Sequence, residues 1–369
     1  MKLMFAIKRL ENSAGGSERV LARICSELAH RGHEVSVLTW DAPGSQPYYP
    51  FNPAVRVINR GLGDSSQPTR PREFLTRLFD LRRAVSEAAP DVVIGFGHSM
   101  FVPLAFATLG MTTPVVGSEH AVMAHYETRP LQYFLLRASA RLLRKITVIS
   151  DAGRLGYTAD VRPKLFVMPN PILAEVLPSR GRTRDNPGII LNVGRLDPQK
   201  NQDALIRAFA RVADQFPTWR LRIMGEGPLR PRLEALIVEL GLSTRVAMPG
   251  LTQSIDAEYA SADLFALSSA YESFGLVSIE AMSHGLAVLG FKDCPGTNEV
   301  VLDGVTGLLV GNDPDRVSSF AEGLRQLMAD ADLRARLGEA ARQRIATLAE
   351  RCDVVDRWEA FLTSIRVEE

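Results

Sequence analysis

The sequence predicts an α/β protein built from two doubly wound parallel sheets. Short apolar runs that are typical of buried strands alternate with amphipathic helical patterns along nearly the whole chain. This alternation pauses once, near Asn170-Pro171, and then starts again. Strands that alternate with helices form parallel βαβ units. Because 369 residues, 46% of them hydrophobic, can bury two ordinary cores, we predict two Rossmann-like domains.

The first domain is predicted over residues 1–170. A strand at residues 3–7 is followed by a loop with Gly15-Gly16 and by an amphipathic helix over residues 19–30. The remaining runs have the length and composition of buried strands. They cover residues 35–39, 55–58, 91–96, 114–118, 145–149 and 164–168.

The second domain is predicted over residues 171–350. Residues 174–187 are rich in Arg, Pro and Ser, with little periodicity, and are interpreted as the interdomain connection. Strands are predicted at residues 188–193, 219–224, 246–248, 264–267, 287–290 and 307–310, and helices at 202–216, 229–240, 255–261, 315–329 and 331–350. A last helix within residues 351–369 carries Trp358 and Phe361 on one stripe. It either returns to pack on the first domain or caps the second.

Composition excludes several classes of protein. A net charge of +1 argues against bulk nucleic-acid binding. The three cysteines, Cys25, Cys294 and Cys352, are too few and too scattered for a disulfide framework or a zinc site, and we interpret them as buried small side chains. The first apolar run is too short for a signal peptide or a membrane span. We therefore expect a cytoplasmic chain in a reducing compartment.

The two halves of the chain differ in charge. Residues 1–170 hold 21 basic and 14 acidic residues, a net +7, whereas residues 171–369 hold 22 and 28, a net −6. The basic residues concentrate within residues 70–83 and 129–145, where they are interleaved with Phe and Leu. This pattern fits helices that lie on an anionic membrane surface, peripheral to the inner face of the plasma membrane. Ordinary amphipathic helices with Arg on their solvated face show the same pattern, and both interpretations stand.

Two carboxylates lie eight positions apart, at Glu272 and Glu280. A predicted buried strand at residues 264–267 leads into this segment, and Gly275 marks the turn where a helix begins. Glu280 would then lie in the second helical turn, while Glu272 stays on the preceding loop. Both acids would face one crevice at the carboxyl end of a strand, where α/β sheets bind their ligands.

Arg195 and Lys200 lie on the loop between a predicted strand, which ends at Gly194, and a helix that Asn201 is expected to cap. A guanidinium fork and a point charge together suit a diphosphate. The alternative is that both side chains are simply solvated charges on a loop, but their position at a strand's carboxyl end favours a binding site for the diphosphate. No Asp-x-Asp or His-x-x-x-Glu pattern is found at a strand end, so we predict no dedicated metal site.

The Gly15-Gly16 turn joins the first strand to the first helix, where backbone amides approach a phosphate. It matches neither a dinucleotide-binding nor a P-loop fingerprint, and alone it also fits a simple turn.

Taken in order, these features resemble the large family of retaining glycosyltransferases of GT-B architecture, often called family 4 or group 1. The resemblance covers nearly the whole chain. It rests on Gly15-Gly16, Ser118-Glu119-His120, Gly194-Arg195-Leu196 with Lys200-Asn201, and the pair Glu272 and Glu280.

The resemblance implies two Rossmann-like domains facing a cleft, a nucleotide-sugar donor held mostly by the second domain and a lipid-linked or saccharide acceptor presented by the first. It implies that Glu280 binds the ribose and that Glu272 binds the transferred sugar. His120 would lie beside the reacting carbon. The diphosphate would be held by the side chains of Arg195 and Lys200 and by the backbone around Gly15, Gly16, Phe274, Gly275 and Leu276. Gly225 and Met248 would frame the nucleobase.

The resemblance further implies transfer with retention, by same-face attack in which the departing diphosphate takes the acceptor's proton. Because no metal-binding pattern is found, we expect this transfer to need no metal cofactor. Residues 293–299, including Glu299, resemble the subset that builds bacterial exopolysaccharides, capsules and lipid-linked oligosaccharides, often from UDP-sugars. We therefore expect transfer of a hexose or N-acetylhexosamine in cell-surface polysaccharide synthesis. A sugar-nucleotide 2-epimerase and a non-catalytic nucleotide-sugar-binding protein are the alternatives.

Overall fold

The chain divides into two compact units in the computed structural model. One comprises Met1–Pro171 with Asp353–Glu369, and the other comprises Ile172–Cys352. The structure describes residues 1–62, 71–172, 188–313, 315–351 and 354–367. The predicted interdomain connection at residues 174–187 lies outside the described residues, as do Arg70 and Cys352.

The first unit contains a seven-stranded parallel sheet in the order β3-β2-β1-β4-β5-β6-β7. Its strands are β1 (Lys2–Ile7), β2 (Glu34–Thr39), β3 (Arg56–Asn59), β4 (Val92–Phe96), β5 (Val115–Ser118), β6 (Lys145–Val148) and β7 (Leu165–Val167). Its helices are α1 (Gly16–His30), α2 (Pro71–Ala88), α3 (His98–Ala107), α4 (Pro130–Ala140) and α5 (Asp151–Gly156). Helices α2, α3 and α4 pack side by side over one buried core.

The second unit contains a six-stranded parallel sheet in the order β10-β9-β8-β11-β12-β13. Its strands are β8 (Ile189–Val193), β9 (Arg220–Met224), β10 (Val246–Gly250), β11 (Leu264–Ala266), β12 (Val288–Phe291) and β13 (Gly307–Val310). Its helices are α6 (Gln202–Val212), α7 (Arg230–Glu239), α8 (Ile255–Ser261), α9 (Leu276–Ser283), α10 (Thr297–Val300), α11 (Arg316–Ala329) and α12 (Ala331–Arg351). Two parallel, doubly wound sheets confirm the predicted fold class.

The spacing of apolar residues explains how these helices pack. In α6, Leu205, Phe209 and Val212 recur every three or four residues and are all buried. This stripe lies in the same core cluster as Leu221 of β9 and Phe320 of α11. Each fully buried Leu or Phe stabilises the fold by about 1.5–3 kcal/mol relative to an exposed one. The spacing of the apolar residues therefore determines which face of α6 packs against the sheet.

The last helix, α13 (Val354–Val367), packs on the first unit, which is one of the two predicted arrangements. Trp358 is buried with its ring 6.3 Å from that of Phe5, and Phe361 stacks on Phe166 at 4.7 Å. Arg31 donates a hydrogen bond of 2.9 Å to Glu359 of this helix. Aromatic burial, with ion pairs at the rim, thus fixes the end of the chain to the first sheet.

Some local details differ from the predictions. Helix α1 begins at Gly16 rather than at residue 19, and the short helix α10 begins within residues 293–299, at Thr297. Asn201 is the N-cap residue of α6, as expected, but its side chain makes no capping hydrogen bond, and its φ of 50° is left-handed rather than the extended conformation usual at this position. Cys25 and Cys294 are buried, as expected. Among the described residues, every helix is too short or too polar to cross a membrane.

Candidate active site

The loops after β8, β9 and β10 are joined by backbone hydrogen bonds. Gly194 N–H donates to the Met224 carbonyl (3.0 Å), and Gly225 N–H donates to the Gly250 carbonyl (2.9 Å). A Cβ on Gly225 would lie 2.1 Å from the Gly194 carbonyl oxygen, and the φ of +136° at Gly225 also disfavours a side chain. Glycine is therefore needed where these loops meet, at the carboxyl ends of the strands.

Arg230 binds the two segments that were predicted to frame a nucleobase. Its guanidinium donates to the carbonyls of Met248 (3.1 Å) and Gly225 (3.3 Å). The carboxylates of Glu226 and Glu234, four residues before and after it, hold it in place at 2.7–2.9 Å. Sequence reasoning missed Arg230, although its i, i+4 spacing from both acids was a visible signal.

The centre of the site is an ion pair between Lys200 and Glu272. Lys200 Nζ lies 2.7 and 2.9 Å from the two carboxylate oxygens of Glu272. Ser269, which is fully buried, donates a third hydrogen bond of 2.6 Å to Glu272 Oε1. The Lys200 side chain is 16% exposed and that of Glu272 is 8% exposed. Because water is largely excluded from this pair, its two charges interact more strongly than those of a surface pair.

Residues at the end of β11 position both members of this pair. Ser268 donates to the carbonyl of Lys200 (3.0 Å), and Ala270 N–H donates to the carbonyl of Gln199 (2.9 Å). Gln199 in turn donates through its side chain to the Tyr271 carbonyl at 3.0 Å. The Lys200 and Glu272 loops are thereby connected along their length, although they are 72 residues apart in sequence.

Glu280 lies in the second turn of α9, and Glu272 lies on the loop before this helix, as predicted. The hydroxyl of buried Tyr259 donates to Glu280 Oε2 at 2.8 Å. Gly275, with a φ of +65°, precedes the helix, and Phe274 and Leu276 on either side of it are partly buried. The N-terminus of α9 therefore follows Glu272 by four residues and presents backbone amides, which favour an anion.

Residues 293–299, which resemble the exopolysaccharide subset of the family, pack against the Glu272 loop. Glu272 N–H donates to the Pro295 carbonyl (2.9 Å), and a Cβ on Gly296 would lie 2.5 Å from the Glu272 carbonyl oxygen. Burial raises the pKa of Cys294 to about 11, so this thiol stays protonated near neutral pH. Glu299 is exposed on α10. A substitution near residue 296 would displace the backbone of Glu272.

Arg195 does not join the ion pair. Its side chain is 72% exposed, and its closest charged contact is with Asp197 at 3.8 Å. Its backbone is fixed, since the Arg195 carbonyl accepts a hydrogen bond from buried Gln202 at 3.0 Å. A long cation on a rigid loop can reach an anion without rearrangement of the fold.

In the first unit, the Gly15-Gly16 turn lies at the start of α1, as predicted, but it is covered by Glu18. The carboxylate of Glu18 accepts hydrogen bonds from Ser13 and Ser17, both at 2.7 Å. A Cβ on Gly15 would lie 2.2 Å from Glu18 Oε2. An acidic group in the first helical turn suits the helix dipole. A phosphate could bind this turn only after Glu18 moved aside.

His120 follows β5 and packs its ring on Phe96, with 4.2 Å between ring centroids. Its Nε2 atom lies 3.0 Å from Ser118 Oγ, and Thr147 donates to the same serine oxygen at 3.1 Å. Burial lowers the pKa of His120 to about 4, despite the opposing charge of Glu119. The ring is therefore neutral at pH 7.

Comparison with known proteins assigns the chain to a family. Residues 15–171 match the model described as "Glycosyl transferase 4-like domain", and residues 175–344 match "Glycosyl transferases group 1". The chain belongs to the group 1 glycosyltransferases. It is an enzyme of the transferase class, as the resemblance of its motifs implied.

Curated relatives resemble this glycosyltransferase along its length. It is 27% identical, over 99% of both chains, to the GalNAc-α-(1→4)-GalNAc-α-(1→3)-diNAcBac-PP-undecaprenol α-1,4-N-acetyl-D-galactosaminyltransferase of Campylobacter jejuni. It is 25% identical, over 98% of its own length and 99% of the relative, to the amylovoran biosynthesis glycosyltransferase AmsD of Erwinia amylovora.

Solved structures share the fold of this glycosyltransferase. Anabaena HepE, crystallised with UDP and glucose, gives a TM-score of 0.79 at 20% identity, covering 99% of this chain and all of that one. WaaG, described as a glycosyltransferase involved in lipopolysaccharide biosynthesis, gives 0.73 at 21% identity, covering 98% and 99%. At this level of identity the likeness establishes the GT-B fold alone.

The low pKa of His120 predicts how the stability of this glycosyltransferase depends on pH. The pKa falls from about 6.5 in the unfolded chain to about 4 in the folded one. Since the unfolded state then binds the proton more tightly, stability is present above pH 6.5 and is lost as the pH falls toward 4. Between pH 7.5 and 5 the loss from this residue should be on the order of 2 kcal/mol. Denaturant unfolding of wild type and His120→Gln at both pH values measures it, and an equal pH dependence in the two proteins would contradict it.

Proposed function

We propose that the enzyme transfers a hexose or N-acetylhexosamine from a UDP-sugar to a lipid-linked or saccharide acceptor, with retention of anomeric configuration. The observation that carries this proposal is the pairing of Lys200 with Glu272, which lies four residues before the N-terminus of α9. A cation, a carboxylate and a helix N-terminus at the carboxyl ends of parallel strands suit the diphosphate and the hydroxyls of a nucleotide sugar.

We assign the donor's parts to the second unit. Lys200 and the amides at the start of α9 would hold the diphosphate, and exposed Arg195 would close over it. Glu280, fixed by Tyr259, would accept hydrogen bonds from the ribose. The loops joined at Gly225 and Met248 would frame the base. Because the loops after three neighbouring strands already share backbone hydrogen bonds, this frame needs little ordering when the donor binds.

The chemistry that we propose is same-face substitution. The bond between the anomeric carbon and the diphosphate oxygen breaks, and the electron pair leaves with the diphosphate. The acceptor oxygen bonds to the same face of that carbon, and its proton passes to the departing diphosphate. Lys200 and Arg195 stabilise the negative charge that develops on the leaving group, which is usually the largest contribution to catalysis. Since the side chains of Lys200 and Arg195 would neutralise the charge on the leaving diphosphate, we propose that transfer needs no divalent metal.

The setting that we propose is the synthesis of a cell-surface polysaccharide. One relative in Campylobacter is named for a diphospho-undecaprenol-linked acceptor, and one in Erwinia is named for amylovoran biosynthesis. A sugar-nucleotide 2-epimerase or a non-catalytic binding protein is less consistent with the family match. The epimerase would also convert its nucleotide sugar without any acceptor, which separates the two enzymes experimentally.

We expect a transfer assay to test this function directly. UDP-glucose, UDP-galactose and their N-acetylhexosamine counterparts would be incubated with undecaprenyl-diphosphate-linked saccharides, with and without EDTA. We expect a glycosylated product whose anomeric configuration by NMR matches the donor's, at an unchanged rate in EDTA. An inverted product would contradict the mechanism, and a loss of activity in EDTA that magnesium restores would contradict metal independence. Conversion of the donor without an acceptor would favour the epimerase.

We further propose that the first unit docks on an anionic membrane through the outer faces of α2 and α4. Ordinary amphipathic helices would bury their apolar side chains, but here large apolar side chains stay exposed. They are Phe74, Leu75 and Phe79 on α2, with Leu131, Phe134 and Leu135 on α4. Arg82, Arg83 and Arg137 on the same helices are also exposed. Exposed aromatic and aliphatic groups flanked by Arg suit the interface of an anionic bilayer, which supports a cytoplasmic enzyme at the inner face of the plasma membrane.

Vesicle flotation should detect this docking. We expect the wild type to float with phosphatidylglycerol vesicles at low salt and to be released at high salt, because surface charge attraction is screened. The double variant Phe79→Ser/Phe134→Ser should lose most of the binding. Val238→Ser, which changes an exposed apolar residue of the second unit, serves as the control. Absence of flotation by the wild type at low salt would leave α2 and α4 as ordinary surface helices.

A further inference from the structure

A cluster of titratable side chains lies at the carboxyl ends of β4 and β5 in the first unit, and the chemistry proposed above does not use it. His98 is the first residue of α3 after β4, and Glu119 follows β5 directly. The two strand ends are joined because Gly97 N–H donates to the Ser118 carbonyl at 2.7 Å. Carboxyl ends of neighbouring parallel strands are where α/β sheets bind ligands.

Glu119 is a buried carboxylate with several partners. It is 2% exposed, and it accepts hydrogen bonds from the Tyr126 hydroxyl (2.5 Å) and from Ala121 N–H (2.8 Å). Its Oε1 atom also faces His98 Nδ1 at 3.8 Å. Burial would raise the pKa of Glu119, but the contacts with His98, Tyr126 and Ala121 outweigh burial and hold the pKa below its ordinary value. The carboxylate is therefore charged at neutral pH.

His98 contacts buried Glu119 and is itself partly exposed to solvent. Its side chain is 23% exposed, and its ring lies 5.1 Å from that of His125 and 5.4 Å from that of Tyr126. The Nε2 atom of His125 is buried and has no hydrogen-bond partner within the described residues. The partly exposed ring of Tyr133 lies 5.6 Å from that of buried Tyr126. The cluster thus combines imidazole nitrogens with a continuous set of aromatic rings.

The carboxylate determines which nitrogen of His98 carries the proton. A negative charge opposite Nδ1 favours the neutral tautomer with hydrogen on Nδ1, and this leaves Nε2 as a hydrogen-bond acceptor. An acceptor nitrogen suits a hydroxyl donor. A phosphate is disfavoured, because the buried charge of Glu119 would repel it in a medium of low dielectric constant. Aromatic rings beside such a group suit the apolar face of a sugar ring.

We propose that His98 binds a hydroxyl of the acceptor sugar through Nε2, and that Glu119 is the positioning residue that holds the proton on Nδ1. No proton leaves the acceptor at this contact; the histidine only orients the hydroxyl. The inference rests on the proposed function, since it names a subsite for the acceptor within the first unit. It adds a recognition element to that unit, whereas the donor contacts assigned under the proposed function concern the second.

NMR of ¹⁵N-histidine-labelled enzyme tests this subsite without a turnover assay. We expect the Nε2 resonance of His98 to show an unprotonated nitrogen and to shift when methyl α-N-acetylgalactosaminide or methyl α-glucoside is added. His98→Ala should weaken, by about tenfold, the binding of whichever saccharide shifts this resonance, which is the cost of one hydrogen bond to a polar group. His30→Ala, which changes an exposed histidine on α1, should leave binding unchanged.

Glu119→Gln separates positioning from a general structural role. This variant keeps the shape of the side chain, so we expect the fold to survive while the Nε2 resonance of His98 moves toward a protonated nitrogen and saccharide binding weakens. An Nε2 resonance that is protonated in the wild type, or that no saccharide shifts, would overturn the inference. UDP-sugar binding is measured on the same samples. Its absence from the wild type would contradict the proposed function, whereas its presence with an unresponsive His98 would contradict the acceptor subsite alone.

Discussion

Glu272→Ala should abolish sugar transfer while UDP binding survives. The carboxylate lies at the centre of the proposed donor site and contacts Lys200 and Ser269 through three hydrogen bonds. If Glu272 orients the transferred sugar and holds the cation that stabilises the leaving group, its loss should lower kcat by about 10³ or more. The nucleotide should bind within a few-fold of the wild-type affinity, because removal of an acid next to the diphosphate costs no attraction. Initial rates of transfer and UDP titration measure the two effects.

Controls are needed because the residue belongs to a buried ion pair. Removal of one member of such a pair commonly costs about 3–5 kcal/mol of stability, and the partial exposure of Lys200 should reduce that cost. Glu272→Gln retains the size of the side chain and should also be inactive, with less loss of stability. Ser269→Ala should be only partly impaired, since Lys200 still holds the carboxylate. A Glu272→Ala enzyme that transfers sugar at the wild-type rate would contradict the role of this residue.

Glu280→Ala should weaken nucleotide binding and have little effect on the rate of the transfer step. A hydrogen bond to a charged group contributes about 1.5–3 kcal/mol, so we expect the Kd for UDP to rise by roughly 10- to 100-fold. At saturating donor, kcat should fall much less. Isothermal titration with UDP, alongside steady-state kinetics, measures both quantities.

Tyr259→Phe serves as the matched control for this prediction. It removes the 2.8 Å hydrogen bond to Glu280 Oε2 but retains the buried ring. We expect a smaller loss of UDP affinity than in Glu280→Ala, because the carboxylate is still present but less well positioned. An unchanged UDP affinity in Glu280→Ala would exclude contact of this carboxylate with the nucleoside.

Much of the fold follows from local patterns. The strand-end position of Gly194, the left-handed Gly275 before α9 and the placement of Glu280 in the second turn are all set by residues within one supersecondary unit. Such features depend on hydrophobic period and on backbone conformation, both of which a single sequence carries. For the same reason, Trp358 and Phe361 were recognisable as a buried stripe, although the sequence left open which unit they would contact.

The side-chain partners could not be predicted in the same way. Lys200 and Glu272 are 72 residues apart, and their contact depends on the order of β8 and β11 in the sheet. The sequence predicts that both residues bind the ligand, yet in the structure they bind each other. Glu18 covers the Gly15-Gly16 turn because Ser13 and Ser17 hold its carboxylate. These arrangements are set by tertiary packing, which spacing along the chain does not specify.

A thermal-shift titration of wild type and Lys200→Ala with UDP-, GDP-, ADP- and TDP-sugars tests the donor site most directly. A ligand that binds only the folded state raises the melting temperature, by an amount that grows with the logarithm of the ligand concentration over Kd. We expect UDP-sugars to stabilise the wild type and the control variant Lys292→Ala, which changes an exposed lysine of the second unit, and to have little effect on Lys200→Ala. Equal stabilisation of Lys200→Ala, or no stabilisation of the wild type by any nucleotide sugar, would contradict the assignment of this strand-end ion pair to the donor diphosphate.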